Sequence, residues 1–181
     1  MMNFIFRLFL TLNATSFFVV VFLVQKGCSL GHWFPQARIP NLASYVIYAA
    51  IPLALTGISI WLIRFLGKDP SEKGGVESIE CANNSFLPSY LGYFFVALGI
   101  TSRETFVFVY ILIFVFTFLS QTLYFNPLFL IFGYKFYNVK TKRGASIFLV
   151  SKMKYKIPGD IDILNTHRIN DYTFIEIEKG C

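Results

Sequence analysis

Charged residues are scarce in this chain of 181 residues. Asp, Glu, Lys and Arg make up 14% of it, whereas soluble domains average about 25%. The interiors of its long apolar runs contain no Asp, Glu, Lys, Arg or His, and the only such residues within the runs are Arg7 and Arg64, near their ends. Proton-coupled transporters and pumps need an ionisable residue at membrane depth, so this absence argues against coupled transport. The absence does not argue against a pore lined by uncharged residues.

Catalytic and metal-binding patterns are also missing from the sequence. It has no Gly-rich phosphate loop, no HExxH motif and no nucleophile elbow. The three cysteines and two histidines form neither a disulfide framework nor a cluster with metal spacing. We therefore predict that the protein is not an enzyme and has no cofactor or metal ion.

Hydrophobic residues, by contrast, make up 55% of the chain, and the mean hydropathy is +0.59. They concentrate in four runs. A helix that crosses a bilayer needs about 20 apolar residues. The first, second and fourth runs reach that length, whereas the run at 86–100 is short. We predict an all-α domain over residues 1–132, a bundle of four transmembrane helices at about 4–24, 42–66, 86–100 and 106–132.

The positions of Lys and Arg predict how such a bundle is oriented, because these residues resist translocation. If the N-terminus is inside, only Lys26, Arg38 and Arg103 of the 16 basic residues lie outside. We therefore expect a multi-pass membrane protein with both termini in the cytoplasm. The second loop, Gly67–Ser85, contains Pro70 and a Gly-Gly pair and is predicted to be a flexible cytoplasmic connector.

Polar and small residues inside the runs indicate how the helices pack. Hydroxyl and amide side chains favour hydrogen bonds between helices, with a hydrophilic pathway as the alternative. They are Thr11, Asn13, Thr15 and Ser16 in the first run, and Thr117, Ser120, Gln121 and Thr122 in the fourth. Small residues at helical spacing predict close packing within the monomer or between copies. They are Ala50, Ala54, Gly57, Gly92 and Gly99.

Residues 133–181 are predicted to form a small, β-rich cytoplasmic tail. Tyr134–Val139 and Ala145–Met153 flank a basic turn that ends in Gly144, which is typical of a hairpin, and Asp171–Glu178 alternates like a strand. So few short strands cannot bury a sufficient core, and their edges stay open. We expect the tail to pack against other copies, the bilayer or a second protein.

The tail is also basic. Near an anionic leaflet each basic residue contributes about 1 kcal/mol, so anionic lipids are the predicted partner. Nucleic acid is the alternative, although no recognised nucleic-acid module is present. The predicted partner- or lipid-binding residues are Lys140, Lys142, Arg143, Lys152, Lys154, Lys156, Tyr172 and Phe174.

One series of motifs resembles a known family. Asn126-Pro127-Leu128-Phe129 is followed by Gly133-Tyr134, by the basic hairpin and by Arg168-Ile169-Asn170-Asp171-Tyr172. This layout resembles KwaA, the membrane subunit of the bacterial Kiwa anti-phage defence system. The resemblance implies an inner-membrane homo-oligomer, a tetramer, that senses membrane disturbance during phage attack. It also implies a soluble, DNA-binding cytosolic partner resembling KwaB, through which nucleic acid is reached only indirectly.

Other functions remain open from the residues alone. Polar side chains of the first or fourth run could line the pore of a small homo-oligomeric channel. A stand-alone membrane toxin or superinfection-exclusion protein would need no partner. An intramembrane enzyme is the least favoured, for want of catalytic residues.

Overall fold

The computed structural model describes residues 2–33, 40–66, 75–85, 87–120, 126–161 and 166–176. Arg38, Gln121 and Thr122 lie outside these ranges, as do residues 67–74 of the predicted connector and residues 177–178 of the predicted last strand. The helices are α1 Met2–Gln25, α2 Leu30–Trp33, α3 Asn41–Leu62, α4 Leu87–Gly99, α5 Arg103–Leu119 and α6 Leu128–Ile131. Single 3-10 turns follow at Ile63–Phe65 and Pro158–Asp160. The strands are β1 Val76–Cys81, β2 Lys135–Thr141, β3 Ser146–Ser151, β4 Thr166–Asn170 and β5 Thr173–Glu176.

Helix α1 is the centre of the helical part, and α3, α4 and α5 all pack against it. Its Phe22 stacks on Phe106 of α5 with ring centroids 3.9 Å apart. The start of α5 is capped by Ser102, whose hydroxyl accepts a hydrogen bond from the Thr105 amide at 3.0 Å. The long, mostly apolar stretch of α1, free of Gly and Pro, and the cap of α5 are consistent with the helical conformation of these segments.

The predicted all-α bundle of four transmembrane helices with a small tail is wrong. Among the described helices, only Phe4–Gln25 and Asn41–Phe65 are long and apolar enough to cross a membrane. Helices α4 and α5 have 13 and 17 residues. The backbone turns to an extended conformation at Ser120, which ends α5. The architecture is instead a group of helices packed on a five-stranded mixed sheet.

The sheet has the strand order β1-β2-β3-β5-β4, in which all neighbours are antiparallel except β3 and β5. The predicted hairpin is confirmed, because β2 and β3 pair directly and Gly144 adopts φ +83° in the turn. Strand β1, however, lies within the predicted flexible connector and pairs with β2 through Ser78 and Lys140. A strand from the predicted helical part, 1–132, thus completes the sheet of the predicted tail.

The two sides of the sheet have different neighbours. The helix-facing side packs on the start of α1 and the end of α3, with Phe136, Phe148 and Val150 in one cluster with Leu10 and Ile63. The outer side carries a second cluster, formed by Val76, Tyr137, Val139, Leu149 and Phe174. Residues 152–161, which we call the strap, run from the end of β3 to β1 and contribute Tyr155 and Ile161 to this cluster.

Candidate functional site

A polar groove occupies the part of the helix-facing side that the helices leave uncovered. Side chains alternate along a strand, so Asn138 and Lys140 share the side of Phe136, and Ser146 shares that of Phe148. The groove has a volume of about 510 Å³ and is open to solvent. Its polar lining consists of Ser78, Glu80, Asn138, Lys140, Ser146 and Tyr172.

Charges of both signs lie in or beside this groove. The Lys140 ammonium pairs with the carboxylate of Glu77 at 3.4 Å, with both side chains 51% exposed. Within the described part of the chain Glu80 makes no ion pair. Glu80 lies opposite Asn138 and Ser78 opposite Lys140, so Glu80 and Lys140 are diagonal neighbours. The backbone positions of such neighbours are about 7–8 Å apart, so both side chains can reach one ligand group in the groove.

The six predicted basic residues do not form one patch. Lys142 and Arg143 are exposed at the hairpin turn, next to Lys140. Lys152 lies at the other end of β3, where its ammonium is 5.3 Å from the ring centroid of Tyr134, a residue of the helix-facing cluster. Lys154 and Lys156 follow on the strap and are exposed. The positive charge is therefore divided between the hairpin tip and the junction with the helices.

The two predicted aromatic residues also separate. Tyr172 is 49% exposed in the groove lining, whereas Phe174 is 5% exposed in the outer cluster. The structure therefore brings Tyr172 and Lys140 to one surface, while Phe174 packs among apolar side chains.

The predicted helix-packing residues lie mostly on outward faces. The buried side of α3 consists of Ser44, Tyr48, Pro52, Thr56 and Ser59. Ala50 and Ala54 are exposed on the same helix, whereas Gly57 faces the Phe132 ring, which would lie 3.6 Å from a Cβ added at that position. Gly92 and Gly99 are exposed on α4. Apart from Gly57, these positions are not used for packing between the described helices of one chain.

Of the polar residues predicted to bond between helices, Asn13, Thr15 and Thr117 do so, whereas the Thr11 and Ser16 hydroxyls donate to carbonyls within α1. The Asn13 side-chain amide donates to Thr56 Oγ1 at 3.1 Å, and the Asn126 amide donates to the same oxygen at 3.1 Å. The Thr56 hydroxyl in turn donates to the Pro52 carbonyl at 2.8 Å. All three polar residues are at most 1% exposed. This network, which we call the Thr56 network, joins α1, α3 and the segment before α6.

A second polar cluster lies between the strap and the outer side of the sheet. The Tyr155 hydroxyl donates to the Glu176 carboxylate at 2.7 Å, and the Ser151 hydroxyl also donates to that carboxylate. The Tyr137 hydroxyl donates to the Met153 carbonyl at 2.9 Å. Burial raises the pKa of the Tyr137 phenol, and the nearby Glu176 carboxylate adds to the increase. These bonds hold the strap on the sheet.

Within the described ranges, no group of three or more His, Cys, Asp or Glu side chains could hold a metal ion. Four polar groove residues were not among the predicted site residues: Ser78, Glu80, Asn138 and Ser146. The sequence carries little signal for β1, because Glu77-Ser78-Ile79-Glu80 contains a single apolar residue and the pairing partner β2 is distant in sequence.

The comparisons with known proteins agree with the motif resemblance. A family model for the anti-phage protein KwaA matches residues 6–175, from α1 to β5. The chain belongs to the KwaA anti-phage protein family. Its role is therefore in anti-phage defence, and the predicted resemblance is confirmed. No curated protein and no solved structure matches the chain.

The KwaA match includes both parts of the molecule. It spans the helices around α1, the Thr56 network, the groove and the strap. The motifs that carried the resemblance lie at structurally defined positions: Asn126 belongs to the Thr56 network, and Tyr172 lines the groove.

Proposed function

We propose that this KwaA family member is an oligomeric inner-membrane sensor and scaffold of an anti-phage defence complex. Its cytoplasmic face recruits a soluble, DNA-binding effector, and the chain itself acts by binding rather than by catalysis. The observation that carries the proposal is that two long apolar helices, α1 and α3, are attached at one end to a sheet whose hairpin tip carries the exposed Lys142 and Arg143.

The apolar side chains on the outside of α3 support the bilayer location. Leu42 is 74% exposed, Val46 63% and Trp61 56%. A core helix of a soluble protein is mostly buried, yet only 28% of the 18-residue apolar stretch within Asn41–Phe65 is buried. Apolar area left in water forgoes about 25 cal/mol per Å², whereas acyl chains accept it without cost. The helix is also long enough for a span of about 20 residues.

The distribution of charge supports a cytoplasmic sheet. The start of α1 and the sheet share one apolar cluster, so both lie at the same end of the helices. Arg7, Arg64 and Lys152 belong to that end. The Lys26 ammonium donates to the Thr101 carbonyl, next to Arg103, at the opposite end. Because the basic residues concentrate at the sheet end, the positive-inside rule favours the cytoplasm for that end.

The exposed small residues support assembly from copies of this chain. Ala50 and Ala54 leave a low surface on the outside of α3, and Gly92 does the same on α4. Small side chains allow helix backbones to approach closely in a membrane. We propose a homo-oligomer, and specifically a tetramer, that uses these faces.

Sensing would act through the connection between helices and sheet. A change in bilayer thickness or tension shifts helix packing, and a short apolar helix such as α4, with 13 residues, is sensitive to such a change. His167 of β4 hydrogen-bonds to the Leu66 carbonyl, directly after the 3-10 turn that follows α3, so helix movement would reach the sheet. The cytoplasmic surface that contacts the recruited effector would then change.

The experiment is co-purification of the tagged full-length chain with its co-expressed soluble partner in mild detergent. We expect a stoichiometric complex for the parent and for R103E, whose changed residue lies at the end away from the sheet. The double variant K142E/R143E reverses the charge of the exposed hairpin tip without touching the apolar clusters, and we expect it to lose the partner. Retention of the partner by K142E/R143E, or no partner with the parent, would overturn the scaffold role.

A further inference from the structure

We propose that the groove binds the zwitterionic headgroup of phosphatidylethanolamine from the adjacent leaflet. Its lining of Ser78, Glu80, Asn138, Lys140, Ser146 and Tyr172 offers one cation, one anion and neutral hydrogen-bonding groups. The inference rests on the membrane location proposed above, and it adds a defined lipid ligand to the chain.

The direction in which the groove opens is the first argument. Lys140 and Asn138 alternate with Val139 and share the side of Phe136, which packs on the helix ends. The groove therefore opens toward the side from which α1 and α3 extend. With these helices in the bilayer, that side of the sheet faces the headgroups.

The charges in the groove complement an ethanolamine phosphate. The Lys140 ammonium is suited to the phosphate, and the Glu80 carboxylate to the primary ammonium, which has three N–H donors. Ser78 and Ser146 add hydroxyl donors on either side of Lys140. The methylated nitrogen of phosphatidylcholine has no N–H to donate, so Glu80 distinguishes the two headgroups.

The Lys140 ammonium and the groove itself are accessible to a lipid headgroup. The pair between Lys140 and Glu77 is exposed, and such pairs are weak, so the ammonium can turn to a phosphate. The volume of about 510 Å³ lies within the usual range of roughly 300–1,000 Å³ for small-ligand sites. A purely anionic headgroup is disfavoured here, because Glu80 would repel it; Lys152, near the helices, suits that lipid better.

The test is native mass spectrometry of the full-length chain in mild detergent, titrated with phosphatidylethanolamine, phosphatidylcholine or phosphatidylglycerol of identical acyl chains. A charge-assisted hydrogen bond corresponds to roughly tenfold in affinity, so we expect phosphatidylethanolamine to bind about tenfold more tightly than phosphatidylcholine. E80Q should abolish this preference. E104Q, a matched change at the start of α5, should keep it.

A second variant makes the result independent of Glu80 alone. K140Q removes the phosphate ligand, so it should weaken both zwitterionic lipids by about tenfold while the unfolding temperature stays at the parental value. Equal binding of the two zwitterionic lipids by the parent would overturn the proposal. Tightest binding of phosphatidylglycerol, unchanged in E80Q, would overturn it as well.

Flotation of the parent chain with liposomes after an alkaline wash separates the two proposals. A chain that does not float with liposomes of any composition would refute the membrane location and the headgroup site together. A chain that floats but shows no preference for phosphatidylethanolamine would refute the headgroup site alone.

Discussion

The Nδ1 atom of His167 lies 2.7 Å from the carbonyl oxygen of Leu66. A carbonyl oxygen can only accept, so Nδ1 carries the proton and donates. His167 is on β4 and is 5% exposed, and Leu66 directly follows the 3-10 turn that ends α3. Buried carbonyl groups are normally hydrogen-bonded, so this bond supplies a donor for the Leu66 carbonyl and joins the sheet to the segment that follows α3.

Replacing His167 by phenylalanine should loosen this junction. H167F keeps a ring of similar size but leaves the buried Leu66 carbonyl without its donor, which costs about 1–3 kcal/mol. For a chain of this length each kcal/mol lowers the unfolding temperature by roughly 2–4 °C, measurable by thermal unfolding in detergent. H167N can donate from nearly the same position and should recover part of the loss. An H167F protein as stable as the parent would contradict the role of this bond.

Replacing Thr56 by valine should destabilise the helices. T56V preserves the shape of the side chain but removes the oxygen to which Asn13 and Asn126 both donate. Bonds between membrane helices contribute about 0.6 kcal/mol each on average, so we expect a loss of about 1 kcal/mol or more. T11V is the matched control, because the Thr11 hydroxyl donates to the Arg7 carbonyl within α1. Denaturant titration in detergent would compare them, and equal effects would refute the network.

Replacing Tyr155 by phenylalanine should release the strap. Y155F removes the hydroxyl that donates to the Glu176 carboxylate, and a hydrogen bond to a charged group contributes about 1.5–3 kcal/mol. Amide hydrogen exchange of residues 152–161 should become faster. Y172F, at an exposed tyrosine, should leave that exchange unchanged. Unaltered exchange in Y155F would show that other contacts hold the strap.

Alkaline pH should weaken the sheet through Tyr137. Burial raises the pKa of this phenol above its usual value of about 10, so the folded state favours the protonated form. The resulting stability is complete below about pH 10 and is lost as the pH rises through the folded-state pKa. Unfolding temperatures measured on both sides of pH 10 should fall less steeply for Y137F than for the parent. Identical slopes would contradict this assignment.

The sequence predicts local features well because their signals are local. The hairpin of β2 and β3 follows from two alternating runs around Gly144. The hydrogen bonds from Asn13 and Thr15 to other helices follow from the place of these polar residues in an apolar run. The four-span bundle was wrong because hydropathy does not report where a helix ends. The extended backbone at Ser120 separates α5 from α6 inside one apolar run.

The groove was not predictable for a different reason. It needs β1 beside β2, and the pairing of Ser78 with Lys140 joins positions far apart in the chain. In the sequence Glu80 is one of several acidic residues in a loop, and only the pairing of β1 with β2 makes it a diagonal neighbour of Lys140. Asn126 likewise appears in a Pro-containing turn and gains its partners only when α1 and α3 meet.

Cysteine accessibility tests the central claim, that the chain crosses the membrane with its sheet in the cytoplasm. Cys28 follows α1 at the end away from the sheet and is partly exposed, whereas Cys81 ends β1 and is exposed. Single-cysteine variants, with Cys181 and the other cysteine changed to serine, would be treated with a membrane-impermeant maleimide in intact spheroplasts and after lysis. The proposed topology predicts labelling of Cys28 in intact spheroplasts and of Cys81 only after lysis. Labelling of Cys81 in intact spheroplasts, or protection of both cysteines until lysis, would contradict it.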